Sequence, residues 1–159
     1  MTLSTESNQQ LKVLVVDDEE GILEVFRLAL VPCGHNVTFV GSGPDAIEAA
    51  RQQQFDVAFI DVAMSPMDGL STLSRLKAVS PDTQCIMITA FYSGELSRRV
   101  RSNIVSDAMQ LGARGCLRKP FELDTIARAA EYFGRQSANF SRATSEAQSA
   151  DAAYTGGQS

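Results

Sequence analysis

The chain has 159 residues, 44% of them apolar, with 14 basic against 19 acidic side chains and a net charge of −5. That is one domain plus an appendage, too apolar for a disordered chain and too acidic for a bulk nucleic-acid binder. No apolar run approaches the roughly 18 residues of a bilayer span, and the polar stretch Met1 to Gln10 is no signal peptide, so a cytoplasmic chain without membrane insertion is expected.

The first apolar run, Leu11-Lys12-Val13-Leu14-Val15-Val16, is short and β-branched, and reads as a strand buried on both faces of a parallel sheet. It stops at Asp17-Asp18-Glu19-Glu20. Ile22, Leu23, Val25, Phe26, Ala29 and Leu30 then recur at helical spacing until Pro32 and Gly34. Asn36 to Val40 is a predicted strand and Gly43 to Gln53 a helix opened by Pro44. Phe55 to Ile60 is the next strand, followed by Asp61, a loop through Ala63-Met64-Ser65-Pro66-Met67-Asp68-Gly69, and a helix from Leu70 to Val79.

Gln84 to Ile88 is a strand that gives way to Thr89-Ala90. Glu95 to Leu111 is a long helix with Leu96, Val100, Ile104, Ala108 and Leu111 as its apolar stripe and Gly112 as its cap. Arg114 to Leu117 is a short strand before Lys119-Pro120, and a last helix opens near Phe121. The predicted organisation is an N-terminal arm over residues 1–10, a domain over 11–134, and a helix extension and tail over 135–159. Ile126, Ala130, Phe133, Ser137 and Phe140 keep helical spacing past Gly134, while Tyr154 to Ser159 reads as disordered.

Five β-α units in succession give parallel strands joined by right-handed crossovers, an open α/β sheet with helices on both faces. Ligands bind such sheets beyond the C-terminal strand ends. The residues at those ends are Asp17 and Asp18, Asp61, Thr89 and Lys119. Crowded carboxylates need a cation, and aspartates without histidine or thiolate partners suit a hard ion, Mg²⁺. The carboxylate on the middle strand could then take up phosphate as an acyl phosphate. Lys119 would neutralise one phosphoryl oxygen and Thr89 would donate to another. Each signal alone is weak, since an acidic residue after a strand, such as Asp18, is often a helix N-cap. The three cysteines, Cys33, Cys85 and Cys116, include no C-x-x-C pair, and His35 is the single histidine, so buried thiols are expected rather than disulfides or zinc.

The motifs Val15-Val16-Asp17-Asp18-Glu19, Asp61 with Met67-Asp68-Gly69, Thr89-Ala90 and Lys119-Pro120-Phe121 resemble those of the receiver domain of two-component response regulators, over about Leu11 to Phe133. The resemblance implies a flavodoxin-like (βα)₅ fold with a doubly wound, five-stranded parallel sheet. It implies that Asp61 accepts a phosphoryl group from a sensor histidine kinase or phosphotransfer protein. Asp18, Asp61 and the Ala63 carbonyl would bind Mg²⁺, with Asp17 acting through water. Thr89, Ala90 and Lys119 would contact the phosphoryl group and signal its arrival, and the bond before Pro120 would be cis.

The chain departs from that pattern in four places. Cys116 stands where the family usually has an aromatic switch residue, for which Tyr92 is a conceivable substitute. The stretch from Thr89 to Lys119 is longer than usual by roughly eight residues, about two helical turns, and extends the fourth helix or the loop before it. It carries Arg98, Arg99 and Arg101, either a solvated face or a docking surface for an acidic partner. Met64-Ser65-Pro66 replaces the usual Met-Pro-Gly. Ala63 and Phe91, which flank the site, are apolar and cannot activate water, so slow autodephosphorylation is expected.

With no output module fitting into residues 135–159, the output is read as a contact with a downstream protein target, and a homodimer through the helix extension is an alternative. Three other functions compete. An aspartyl-nucleophile phosphohydrolase would carry a second aspartate at position 63, where this chain has Ala63. A dinucleotide site at Gly41-Ser42-Gly43-Pro44-Asp45-Ala46 would explain neither Asp17-Asp18 nor Lys119. A phosphorylation-independent scaffold is disfavoured by the intact acidic and basic set.

Overall fold

The structure, a computed structural model, describes residues 9–90 and 95–137, with the side chains of 95–98 left aside. The elements are β1 (Lys12–Val16), α1 (Glu20–Leu30), β2 (Asn36–Val40), α2 (Gly43–Gln52), β3 (Val57–Asp61), α3 (Gly69–Val79), β4 (Gln84–Thr89), α4 (Glu95–Gln110), β5 (Gly115–Arg118) and α5 (123–137). The strands form one parallel sheet in the order β2-β1-β3-β4-β5.

The two-residue period of each strand divides the sheet into two cores. Leu14, Val16, Ala58, Ile60, Cys85 and Met87 pack with Ala46 and Ala50 of α2, Leu73 and Leu76 of α3, and Ala108 of α4. Val13, Val15, Val57, Phe59, Ile86 and Ile88 pack with Phe26 and Leu30 of α1 and Ile126 and Ala130 of α5. This is the doubly wound, flavodoxin-like architecture expected from the resemblance. Phe26 anchors the second core, with ring centroids 5.0 Å from Phe59 and 5.4 Å from Phe121. Burying such a side chain contributes about 1.5–3 kcal/mol.

Four local readings of the sequence need correction. Asp18 is not the N-cap of α1: Asp17 turns inward and accepts the Glu19 N–H at 2.9 Å, so the helix starts one residue later, from Glu19. Strand β3 begins at Val57 rather than Phe55; Asp56 before it donates its N–H to the Lys12 carbonyl and accepts the Lys12 N–H at its carboxylate, both at 2.8 Å. Of the cysteines, Cys85 is buried, while Cys33 and Cys116 are half-buried. The apolar stripe of α4 is mostly unburied: Ala108 is in the core and Ile104 half-covered, but Val100 is 47% and Leu111 41% exposed. A helix of this length spans about 24 Å and β5 only about 13 Å, so α4 overhangs the sheet edge it covers.

Gly112 ends α4 with a φ of 104°, a conformation that favours glycine. Helix α5 continues past Gly134. Gly134 lies so close to the Leu11 side chain that a Cβ would reach it at 2.6 Å, and the buried Ser137 hydroxyl donates to the Asp82 carbonyl at 3.0 Å. Phe140 lies outside the described residues. Among the described residues no helix is long and apolar enough to cross a membrane.

Candidate functional site

Parallel strands in this order bring the C-terminal ends of β1, β3, β4 and β5 to one edge. Asp17 leaves β1 fully buried, and its N–H donates to the Val40 carbonyl at 3.2 Å. Asp61 is the last residue of β3 and is 3% exposed. Asp18 is exposed beside them. Oxygens from the three carboxylates lie within 4.8 Å of one another.

Lys119 reaches back from β5 into this cluster. Its Nζ lies 3.4 Å from Asp17 Oδ2, 3.6 Å from Glu19 Oε1 and 3.8 Å from Asp61 Oδ1. Burial opposes the ammonium charge, but Asp17, Asp61 and Glu19 together outweigh it and raise the pKa. One cation against three close carboxylates leaves excess negative charge. Burial, then the Asp17 charge, push the Asp61 carboxyl up to about 6, against the pull of Lys119 and of the Ala63 N–H. Burial likewise raises Asp17.

A divalent cation fits this arrangement. Asp17 Oδ2 is buried and accepts no well-aligned hydrogen bond, its nearest cation being the Lys119 ammonium at 3.4 Å. A carboxylate oxygen without a hydrogen-bond partner, close to two further carboxylates, is a donor set suited to a hard divalent cation. Asp17, Asp18 and Asp61 are the side chains that could hold it.

Thr89 closes the other side. It is 4% exposed, and its hydroxyl donates to the Leu117 carbonyl at a long 3.5 Å. Its own carbonyl accepts the Lys119 N–H at 2.8 Å, which ties β4 to the lysine. Ala90 follows, half-buried, and the bond between Lys119 and Pro120 is cis. Cys116 sits lower on β5, paired with Met87 and packed against the first core, and burial raises its thiol pKa. Phe91 and Tyr92 lie outside the described residues, as does the Arg98 side chain. Arg99 is exposed and Arg101 half-exposed, both in the N-terminal half of α4.

Two residues that the sequence motifs contain, but to which no role was given there, also shape the site. Glu19 supplies a third carboxylate to Lys119, a contact between positions a hundred apart that no local pattern signals. Gly69 packs against the main chain of Asp61: a Cβ there would overlap the Asp61 carbonyl oxygen and crowd the Val62 Cα. It also gives its N–H to the Val62 carbonyl at 2.9 Å. Asp68 before it caps α3, accepting the Ser71 N–H at 2.7 Å. The Asp-Gly pair was the available signal for this loop closure.

The chain is similar to known proteins. A family model described as the response regulator receiver domain matches residues 13–131. The transcriptional regulatory protein ZraR of Escherichia coli K12 is 32% identical over 120 residues, covering 76% of this chain and 25% of that protein. The chain thus spans about a quarter of the length of such curated relatives. The receiver domain of NtrX from Brucella abortus superposes with a TM-score of 0.69 at 25% identity, over 77% of this chain and 98% of that one. A CheY-like receiver domain protein from Methanospirillum hungatei gives 0.70 at 20% identity, over 82% and 98%, a likeness of fold. The chain belongs to the response regulator receiver family and carries the receiver domain of a two-component response regulator.

Proposed function

We propose that Asp61 is the phospho-acceptor of a Mg²⁺-dependent switch, charged by a sensor histidine kinase or phosphotransfer protein in the cytoplasm. The observation that carries this reading is the buried Asp17–Asp61–Lys119 cluster with its orphaned carboxylate oxygen. Asp17, Asp18, Asp61 and the Ala63 carbonyl are the groups that would hold Mg²⁺, which supplies charge neutralisation at the phosphoryl oxygens. An Asp61 carboxylate oxygen attacks phosphorus, the phosphorus–nitrogen bond of the donor histidine breaks, and the imidazole leaves with the electron pair. With its pKa near 6, Asp61 is mostly ionised at pH 7 and available to attack.

The product is an acyl phosphate beside Lys119, whose ammonium neutralises a phosphoryl oxygen. Thr89 holds only a long bond to a neutral carbonyl. A phosphoryl oxygen is a charged acceptor, about twice as strong, and draws the hydroxyl from Leu117 toward the site. That transfer loosens the β4–β5 edge and is the first movement of the switch, whose output is an altered protein-contact surface. The protein signals rather than turning over external substrates.

The test is intact mass after incubation with Mg²⁺ and acetyl phosphate, wild type beside Asp61→Ala. A gain of one phosphate in the wild type alone is expected, and beryllofluoride binding covers the case of a receiver that refuses small donors. Failure of both refutes the proposal. The exposed Ala63 side chain has no group to activate water, so the phosphate half-life is expected to be minutes or longer. A half-life of seconds would contradict that expectation.

A further inference from the structure

At the opposite end of the sheet, where the strands begin, three adjoining depressions surround the last turns of α5. The first, about 410 Å³, is lined by Met109, Ala113, Arg114, Tyr132, Phe133 and Gln136. The second, about 490 Å³, shares Arg114 and Gln136 and reaches Lys77, Asp82 and Gln84. The third, about 360 Å³, shares Tyr132 and Gln136 and adds Arg128, Glu131 and Arg135. Because Arg114 and Gln136 recur, the three form one groove running from α3 across the start of β5 to α5.

Its chemistry is unlike that of the rest of the chain. The lining holds four cations against two carboxylates, in a chain of net charge −5. Lys77 is committed to the Pro81 and Thr83 carbonyls, and Arg128 to Asp124 at 2.7 Å. The guanidinium groups of Arg114 and Arg135 make no ion pair among the described residues, and both side chains are exposed. Between them stand Tyr132, 62% exposed and held edge-on to Phe133 at 4.9 Å, and Met109, 48% exposed. Arginines without an ion pair among the described residues, set around an aromatic and a methionine, are the composition of a peptide-docking surface.

We propose that this groove docks a short acidic segment of a partner protein. Carboxylates of the segment pair with Arg114 and Arg135, and an aromatic or aliphatic anchor fills the depression between Met109 and Tyr132. Charge complementarity favours this occupant. An extended polyanion such as nucleic acid would be repelled by the rest of an acidic surface, and a lipid bilayer would need a broader apolar face than these two side chains. The groove lies at the strand starts and Asp61 at a strand end, so docking here is spatially separate from the phospho-acceptor.

A displayed library of random twelve-residue peptides, selected on the full chain and depleted against the Arg114→Glu/Arg135→Glu double variant, tests this. Both positions are exposed, so the double variant keeps the core. Enrichment of Asp/Glu-rich peptides with one aromatic or aliphatic residue is expected. A synthetic peptide of the winning sequence is expected to bind the double variant at least tenfold more weakly, and Tyr132→Ala more weakly than wild type. No enrichment, enriched sequences without acidic residues, or equal affinity for the double variant would overturn the proposal. So would tighter arginine-dependent binding of phosphatidylserine vesicles or of single-stranded DNA. A wild-type dimer in sedimentation that the double variant dissolves would assign the groove to a second copy of this chain instead. None of these readouts depends on phosphorylation, so they stand or fall separately from the role given to Asp61.

Discussion

Replacing Asp61 by asparagine is expected to stabilise the metal-free protein while removing its capacity to take up phosphate. Burial and the Asp17 charge hold the Asp61 carboxyl at about 6, against 3.8 in the unfolded chain. Between these values the native state binds a proton that the unfolded state does not, so stability rises as pH falls from about 6 to 3.8 and is lowest above that window. The displacement corresponds to at most about 3 kcal/mol of native-state cost at pH 7. That figure is already net of the pull of Lys119 at 3.8 Å, but the asparagine amide does not reproduce the hydrogen bonding of a carboxyl group, which offsets part of the gain. A net gain of about 1–2 kcal/mol is expected, which for a domain of this size raises Tm by roughly 3–8 °C. Thermal melts in EDTA at pH 7.5 read it directly. The gain should shrink as pH is lowered through 6, and millimolar Mg²⁺ should stabilise the wild type more than the Asp61→Asn variant. An Asp61→Asn protein that melts at or below the wild type in EDTA at pH 7.5 would refute the electrostatic account of the site.

Gly69→Ala places a Cβ against backbone atoms of Asp61 and Val62, so a loss of about 2–4 kcal/mol is expected in urea unfolding, together with a smaller mass gain from acetyl phosphate. His35 Nδ1 accepts the Leu11 N–H at 3.3 Å, Nε2 is buried without a partner, and burial lowers the pKa despite the nearby Glu131 and Asp56. The neutral ring is therefore the native form: its contribution is complete above pH 6.5 and is lost as pH falls below it. In an Asp61→Asn background, which removes the Asp61 titration and leaves that of Asp17 common to both proteins compared, His35→Gln should flatten the urea midpoint between pH 6.5 and 5, and an unchanged slope would count against the assignment. Ser137→Ala removes the buried hydroxyl bond to the Asp82 carbonyl and is expected to cost about 1 kcal/mol in the same assay.

The sheet was legible in the sequence because strands covered on both faces must be apolar at nearly every position, as Val13 to Val16 and Val57 to Ile60 are. The polar residues that interrupt those runs, three charged and one a hydroxyl, marked the strand ends, which is why Asp17, Asp61, Lys119 and Thr89 could be grouped before any geometry was known. Interactions set by the third dimension were not legible. Nothing local ties Glu19 to Lys119, or His35 to the Leu11 N–H. The α4 stripe misled because helical periodicity says which residues share a face, but not how much sheet lies beneath them. The helix past Gly134 was read from spacing alone, whereas its purchase on the domain comes from Leu11 and Asp82, far away in the chain.

The Gly69 contact also divides the site into two walls of unequal stiffness. On the acceptor side, Val62 gives its N–H to the Ile88 carbonyl at 2.9 Å and takes that of Gly69 at 2.9 Å, with no room for a Cβ between the loop and Asp61. That wall is clamped. The facing wall is tied through its backbone by the 2.8 Å bond from the Lys119 N–H to the Thr89 carbonyl, but the side chains it turns to the site are held only by a 3.5 Å hydroxyl bond from Thr89 and by three carboxylates around the lysine, none closer than 3.4 Å. On the role proposed for Asp61, an arriving phosphoryl group would therefore do its work on the Thr89 and Lys119 side chains, and the direction of the signal would be set by which half of the cavity can yield.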